Sequence, residues 1–173
     1  MDITVVGGDI TDQQVDAVVN AAKSSLLGGS GVDGAIHHRG GPAILAQCRA
    51  LRAGPLRDGL PTGQAVATSG GMLAARWVIH TVGPVYSPTE DRSALLASCY
   101  VQSLKVADQL GARTIAFPAI SAGAYGWPID DAARIAIAAA RSANTCVEQA
   151  RFVLFSDVVL AAFQAAVVAT PDA

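Results

Sequence analysis

A single carboxylate, Asp33, stands where a glycine-rich stretch runs into a helical pattern: residues 27–38 read L-G-G-S-G-V-D-G-A-I-H-H. Gly28, Gly29, Gly31 and Gly34 open backbone conformations closed to other residues, so several amide N–H groups can converge on one anion. A helix starting directly afterwards adds its own unpaired donors and the positive end of its dipole. The stretch is therefore a candidate phosphate cradle. An ordinary capped helix shows the same glycine-and-acid pattern, so this loop alone does not decide the matter. It is not a Walker loop, since no Gly-Lys-Ser/Thr follows.

A second loop of the same kind, I-S-A-G-A-Y-G-W over residues 120–127, precedes Pro128, which stands where a helix begins with Asp130 and Asp131 in its first turn. Positioning both loops requires a scaffold, and the hydrophobic pattern supplies one. Strands are expected over residues 3–6, 15–19, 64–68, 77–82, 114–118 and 151–155. Helices are expected over 32–39, 42–53, a segment carrying Leu96, Cys99, Tyr100, Ser103, Leu104, Ala107 and Leu110 that stops at Gly111, then 128–143 and 158–168. Strands and helices alternate, which predicts an α/β domain with a mixed, largely parallel sheet covered on both faces. In such a sheet ligands bind beyond the carboxyl ends of the strands. Asn20, the 26–34 loop, the 121–126 loop and Ser156 all follow strands and are expected at one rim, where two facing loops could clamp a diphosphate.

The 173 residues fit one domain, with a short flexible tail from about residue 170. Hydrophobic residues are 51% and charged ones 15%, so disorder is not expected elsewhere. A net charge of −2 argues against a broad nucleic-acid surface, and an anionic ligand would have to be held by local amides. Cys48, Cys99 and Cys146 are odd in number, widely spaced and set in apolar helical stretches, the pattern of buried thiols in a reducing compartment rather than of disulfides or zinc. No apolar signal region or membrane span is visible, so a cytoplasmic protein is expected. His37 and His38 point apart on a helix and make no metal pair, and His80, inside a strand, reads as a hydrogen-bonded structural histidine. Neither a metal nor another cofactor is expected.

Five blocks carry a family resemblance: G-D-I-T at residues 8–11, V-D-A-V-V-N-A-A at 15–22, the 28–37 loop, V-I-H-T-V-G-P-V-Y at 78–86 and F-P-A-I-S-A-G-A-Y-G at 117–126. In this order, over nearly the whole chain, they resemble the signature blocks of macro domains, specifically the MacroD-type branch. The resemblance implies a three-layer α/β/α sandwich that binds ADP-ribose. In this branch it also implies frequent hydrolysis of ADP-ribose from mono-ADP-ribosylated proteins and deacetylation of O-acetyl-ADP-ribose.

By position, the resemblance implies that Asp9 accepts the adenine amino group with the Ile10 backbone alongside. It implies that Gly28, Gly29, Ser30, Gly31 and Val32 wrap the diphosphate from one side, and Ser121, Ala122, Gly123, Ala124, Tyr125 and Gly126 from the other, with Tyr125 as a gate. Phe155 either stacks on adenine or belongs to the core. Asp33 is the candidate to orient or deprotonate water near C1″ of the distal ribose, with a substrate phosphate as the other possible activator. Asn20 and Lys23 complete the expected catalytic group. One departure stands out, because the family commonly reads Asn-Ala-Ala-Asn where this chain has Asn20-Ala21-Ala22-Lys23. Lys23 offers three donors and no acceptor, and could pair with Asp33, hold a phosphate or bind the ribose hydroxyls. Ser30, within the usual glycine run, is a milder departure. The readings are then an ADP-ribosyl ester hydrolase, expected to be monomeric, or a non-catalytic ADP-ribose reader. The acidic balance and the lack of an aromatic-basic stripe place a nucleic-acid module third.

Overall fold

The computed structural model describes residues 1–172, so Ala173, the last residue of the expected flexible tail, lies outside them. Six strands form one sheet in the order β1-β6-β5-β2-β4-β3, with β1 Asp2–Gly7, β2 Ala17–Ala21, β3 Ala65–Ser69, β4 Trp77–Thr81, β5 Thr114–Phe117 and β6 Gln149–Leu154. All neighbours run parallel except β3, which pairs antiparallel with β4 across the short turn between them. Five helices cover the sheet: α1 Gly31–Gly40, α2 Pro42–Ala53, α3 Ser93–Leu110, α4 Ile129–Ser142 and α5 Asp157–Ala169. The expected mixed, largely parallel α/β architecture is thus observed.

Side chains alternate across each strand, so the sheet separates two cores. Ala17, Val19, Ile79, Ile115, Phe117 and Phe152 face α3, α4 and α5, where Tyr100, Phe117, Phe152 and Phe163 form a chain of packed rings 5.2 to 6.0 Å apart. Val18, Val78, Ala116 and Val153 face α1 and α2, packing with Ile36, Ile44 and Cys48. The residues that follow Val18 and Val78 by two, Asn20 and His80, point to this second face as well.

Gly111 ends α3 in the left-handed conformation, φ 72°, and its N–H reaches the carbonyls of Ala107 and Asp108. The second strand starts two residues later than its apolar pattern suggests, because Asp16 is committed elsewhere. Its N–H donates to Thr114 Oγ1 and its carbonyl accepts from the Arg76 and Trp77 amides. The cysteine expectation needs correction. Cys48 and Cys99 are buried, whereas Cys146 is exposed in the connection between α4 and β6, where its N–H donates to Asp108 Oδ1. No helix of the described residues is long and apolar enough to cross a membrane.

Candidate functional site

The carboxyl ends of β1, β2, β4, β5 and β6 open into one cleft of about 740 Å³. Its walls come from Gly8 to Ile10 after β1, from Ala22 and Lys23 after β2, from the start of α1, from Gly83 after β4, from the loop after β5, and from Phe155, Ser156 and Val159 after β6. Of the residues singled out by sequence, the cleft brings together Asp9, Ile10, Lys23, Ser30, Gly31, Val32, Asp33, Ser121, Ala122, Gly123, Ala124, Tyr125 and Phe155. Four are not among the lining residues: Asn20, which is buried beneath the cleft's Asp33, and Gly28, Gly29 and Gly126.

The first loop folds as the glycine pattern requires. Gly28 and Gly31 adopt φ of 87° and 62°, and Gly34 carries no side chain because the Gly29 carbonyl lies 2.6 Å from where a Cβ would be. Ser30 is the N-cap of α1 but makes no side-chain capping bond. The first amides of the helix therefore lack a side-chain partner from the cap, and they belong to residues that line the cleft, Gly31, Val32 and Asp33.

Asp33 does not serve as a capping group either. Its side chain turns inward, buried, with Oδ1 accepting from Asn20 Nδ2 at 2.9 Å and Oδ2 without a protein partner. His37, one helical turn on, places Nε2 3.4 Å from the same Oδ1 without hydrogen-bond alignment. A Cβ on Gly29 would stand 3.1 Å from Asp33 Oδ2 and 3.3 Å from Lys23 Nζ, so both groups crowd the space beside this glycine. They do not close to an ion pair within 4 Å, and Lys23 remains exposed. Of the three roles open to Lys23, direct pairing with Asp33 is not the one adopted here.

At the other end of the cleft, Asp9 caps the single 3-10 turn Ile10–Asp12. Its Oδ1 accepts from the Thr11 N–H at 2.8 Å and the Thr11 hydroxyl at 2.6 Å, and these bonds hold the carboxyl below the usual aspartate range. Both bonds fall on Oδ1, leaving Oδ2 for a donor in the cleft. Phe155 is 95% exposed at the end of β6, so its alternative reading as core is overturned and its ring is available to a flat ligand.

The second loop approaches closely through Gly83. A side chain there would collide with Ser121 Oγ and with Ile120 Cγ2. Ser121 holds φ 63° and donates its hydroxyl to the Pro84 carbonyl at 2.7 Å, while its own carbonyl accepts from Trp127 N. These bonds pin the loop's base. Tyr125 at its tip is half-buried, and its carbonyl accepts from Tyr86 N.

Sequence reasoning did not connect His37 with Asp33, although their i, i+4 spacing on a helix was a usable signal. It read His80 as a hydrogen-bonded structural histidine without naming a partner. That ring meets Asn20 at 3.1 Å and Thr68 at 2.9 Å, the first because β2 and β4 pair with Asn20 beside His80.

A family model for the macro domain matches residues 19–136. The chain belongs to the macro domain family. A macro domain-containing protein of Streptomyces coelicolor is 69% identical over 163 residues, covering 94% of this macro domain's chain and 96% of the relative. Among solved structures, a variant of the Oceanobacillus iheyensis macrodomain with ADPR superposes with a TM-score of 0.89 at 42% identity, covering 95% of this chain and 91% of that one. The Trypanosoma brucei macrodomain in complex with ADP-ribose gives 0.85 at 37% identity, covering 95% and 68%. The three-layer fold expected from sequence is the fold these relatives share.

Proposed function

We propose that this macro domain binds ADP-ribose in the cleft and hydrolyses ADP-ribosyl esters, releasing ADP-ribose from modified Asp and Glu side chains and acetate from O-acetyl-ADP-ribose. The supporting observation is Asp33: a buried carboxylate at a helix N-terminus, with one oxygen held by Asn20 and the other without a protein partner. Likeness to macrodomains solved with ADP-ribose supports the first half of the reading.

The cleft's chemistry suits the ligand along its whole length. Adenine has Asp9 Oδ2 as acceptor for its amino group and the exposed Phe155 face for stacking. The diphosphate lies between the first turn of α1 and the 121–126 loop, where backbone N–H groups supply donors in a region that has few cations. The distal ribose then reaches Asp33. There the carboxylate takes a proton from water as the water attacks the ester; the ester bond breaks, and the leaving oxygen receives the proton. Tyr125 closes over the distal end.

A non-catalytic ADP-ribose reader is the second reading, and Lys23 is what favours it. Its ammonium stands beside Asp33 where the family pattern has a neutral Asn, and it can occupy the ribose position without supplying an acceptor. We also read the chain as a single domain acting as a monomer in the cytoplasm, in keeping with its two buried free thiols.

The test is release of free ADP-ribose from a glutamate-linked mono-ADP-ribosylated protein, with ADP-ribose affinity measured in parallel. Wild type should release it and Asp33→Ala should lose turnover while still binding. Normal turnover by Asp33→Ala would remove that residue from the mechanism. Tight binding by wild type without release, restored by Lys23→Asn, would establish the reader.

A further inference from the structure

We propose that His80 is a positioning residue for Asp33: its unprotonated Nδ1 accepts one proton of the Asn20 amide and thereby directs the other onto Asp33 Oδ1. The inference deepens the hydrolase reading and rests on it for its catalytic consequence. The wiring itself follows from four contacts spread over β2, β4, their neighbour β3 and the helix α1.

The direction of the network is set at Asp33. A carboxylate oxygen accepts, so the 2.9 Å contact places the Asn20 amide nitrogen against it, and the same nitrogen meets His80 Nδ1 at 3.1 Å, which must then accept as well. His80 therefore carries its proton on Nε2, 2.9 Å from Thr68 Oγ1, and the Thr68 hydroxyl proton has the Ser69 carbonyl at 3.1 Å to go to. A neutral ring protonated at Nε2 has a bare Nδ1, and that atom faces Asn20 Nδ2 at 3.1 Å. The two protons of the Asn20 amide nitrogen are then fully assigned, one to His80 Nδ1 and one to Asp33 Oδ1 at 2.9 Å.

The opposite orientation of the amide fails at both ends. A flipped Asn20 would aim its carbonyl oxygen at a carboxylate and at a ring lone pair together. The adopted orientation leaves Asn20 Oδ1 buried without a partner, a feature that packing alone gives no reason for. What the orphan oxygen accompanies is a fixed donor beneath Asp33, which occupies Oδ1 and leaves Oδ2 without a protein partner.

The ring's surroundings keep it neutral. It is fully buried among Asn20 from β2, Thr68 from β3, Cys48 from α2, and Asp33 and His37 from α1, the His37 ring centre being 6.3 Å away. Burial first, and His37 second, push its pKa down to about 3, and burial likewise raises the Cys48 thiol to about 11. Protonated at both nitrogens, the ring would oppose N–H to the Asn20 amide and release it from its orientation.

Two measurements on the full chain test this. Long-range ¹H–¹⁵N spectra of the histidine rings should show His80 with Nε2 protonated and Nδ1 bare, unchanged between about pH 5 and 8, the range in which an ordinary histidine titrates. A ring protonated at Nδ1, or one that titrates in that range, overturns the proposal. In kinetics, His80→Leu should lower kcat about 10- to 100-fold with the ADP-ribose Kd nearly unchanged, as loss of an orienting partner does. His80→Asn, whose side-chain oxygen can stand where Nδ1 stands, should recover much of that loss. Equal losses in both variants, tracking their melting temperatures, would make the residue merely structural. Should the Leu variant fail to fold, the ring spectra decide. If wild type binds ADP-ribose but releases none from any linkage, the hydrolase reading falls by itself. The wiring is then judged on the ring nitrogens and on the two Asn20 side-chain amide protons, both expected to exchange slowly; fast exchange of either overturns it.

Discussion

Phe155 shows how a residue-scale question is settled by exposure. A ring 95% exposed at the end of a strand contributes nothing to the core, yet it borders the cleft, as Asp9 does. Phe155→Ala should leave the melting temperature unchanged and weaken ADP-ribose binding by about 1–3 kcal/mol, the usual contribution of a base stacked on an aromatic side chain. Titration calorimetry reads this directly, and an unaltered affinity would place adenine elsewhere. At this scale the sequence was informative where function depends on short segments: the carboxylates, the lining loops and Tyr125 could be named from local motifs. It was silent on Asn20's partners. His80 lies 60 residues away, and only the parallel register of β2 and β4 brings the two together. Gly28 and Gly29 are not among the residues that line the cleft, and Gly29 lies against Lys23 and Asp33.

Between elements, the geometry of the rim depends on where strands begin, and Asp16 fixes three of those starts. Its Oδ2 accepts from the Arg113 and Thr114 amides at 2.8 and 3.1 Å ahead of β5, and its backbone ties β2 to the start of β4. These amide donors hold its carboxyl below the ordinary aspartate value, so its contribution is present at neutral pH and is lost as pH falls through that lowered value. Asp16→Ala leaves two amides without their partner and should cost about 1–3 kcal/mol. In a chain of this size a thermal melt would fall by roughly 5 °C; an unchanged melt would show that water replaces the carboxylate at no cost. Element type and order were legible because strand and helix periods differ and because Gly111 and Pro128 mark boundaries. The order β1-β6-β5-β2-β4-β3 was not, since every pairing except that of β3 with β4 joins segments distant in sequence and no local pattern specifies which edges meet.

Across the whole molecule, two titrations separate stability from binding. His80 has a folded pKa of about 3, below the value near 6.5 that it regains on unfolding. The unfolded chain therefore takes up a proton that the folded chain refuses, and stability falls as pH drops below about 6.5, continuing toward pH 3. Between pH 7.5 and 5 the loss should be about 2 kcal/mol in urea unfolding, and His80→Asn should remove this component. The same pH slope in both proteins would assign it to other groups.

Salt tests the cleft instead. The cleft's charged lining residues are one cation, Lys23, and two carboxylates, Asp9 and Asp33, and the chain as a whole carries a charge of −2. Phosphate held by backbone amides displaces few condensed ions, since fixed dipoles gather no ion atmosphere of their own. ADP-ribose affinity should therefore fall by no more than about threefold between 50 and 200 mM salt, the slope of a single cation contact. A protein that grips six to ten phosphates with Lys and Arg loses roughly 10³–10⁵ over that interval. A steep dependence would mean that the ligand engages a basic surface outside the cleft, and would return nucleic acid to consideration. A shallow one, abolished neither by Phe155→Ala nor by Asp33→Ala, locates the diphosphate on the amides of α1 and the 121–126 loop, where the two glycine-rich segments converge.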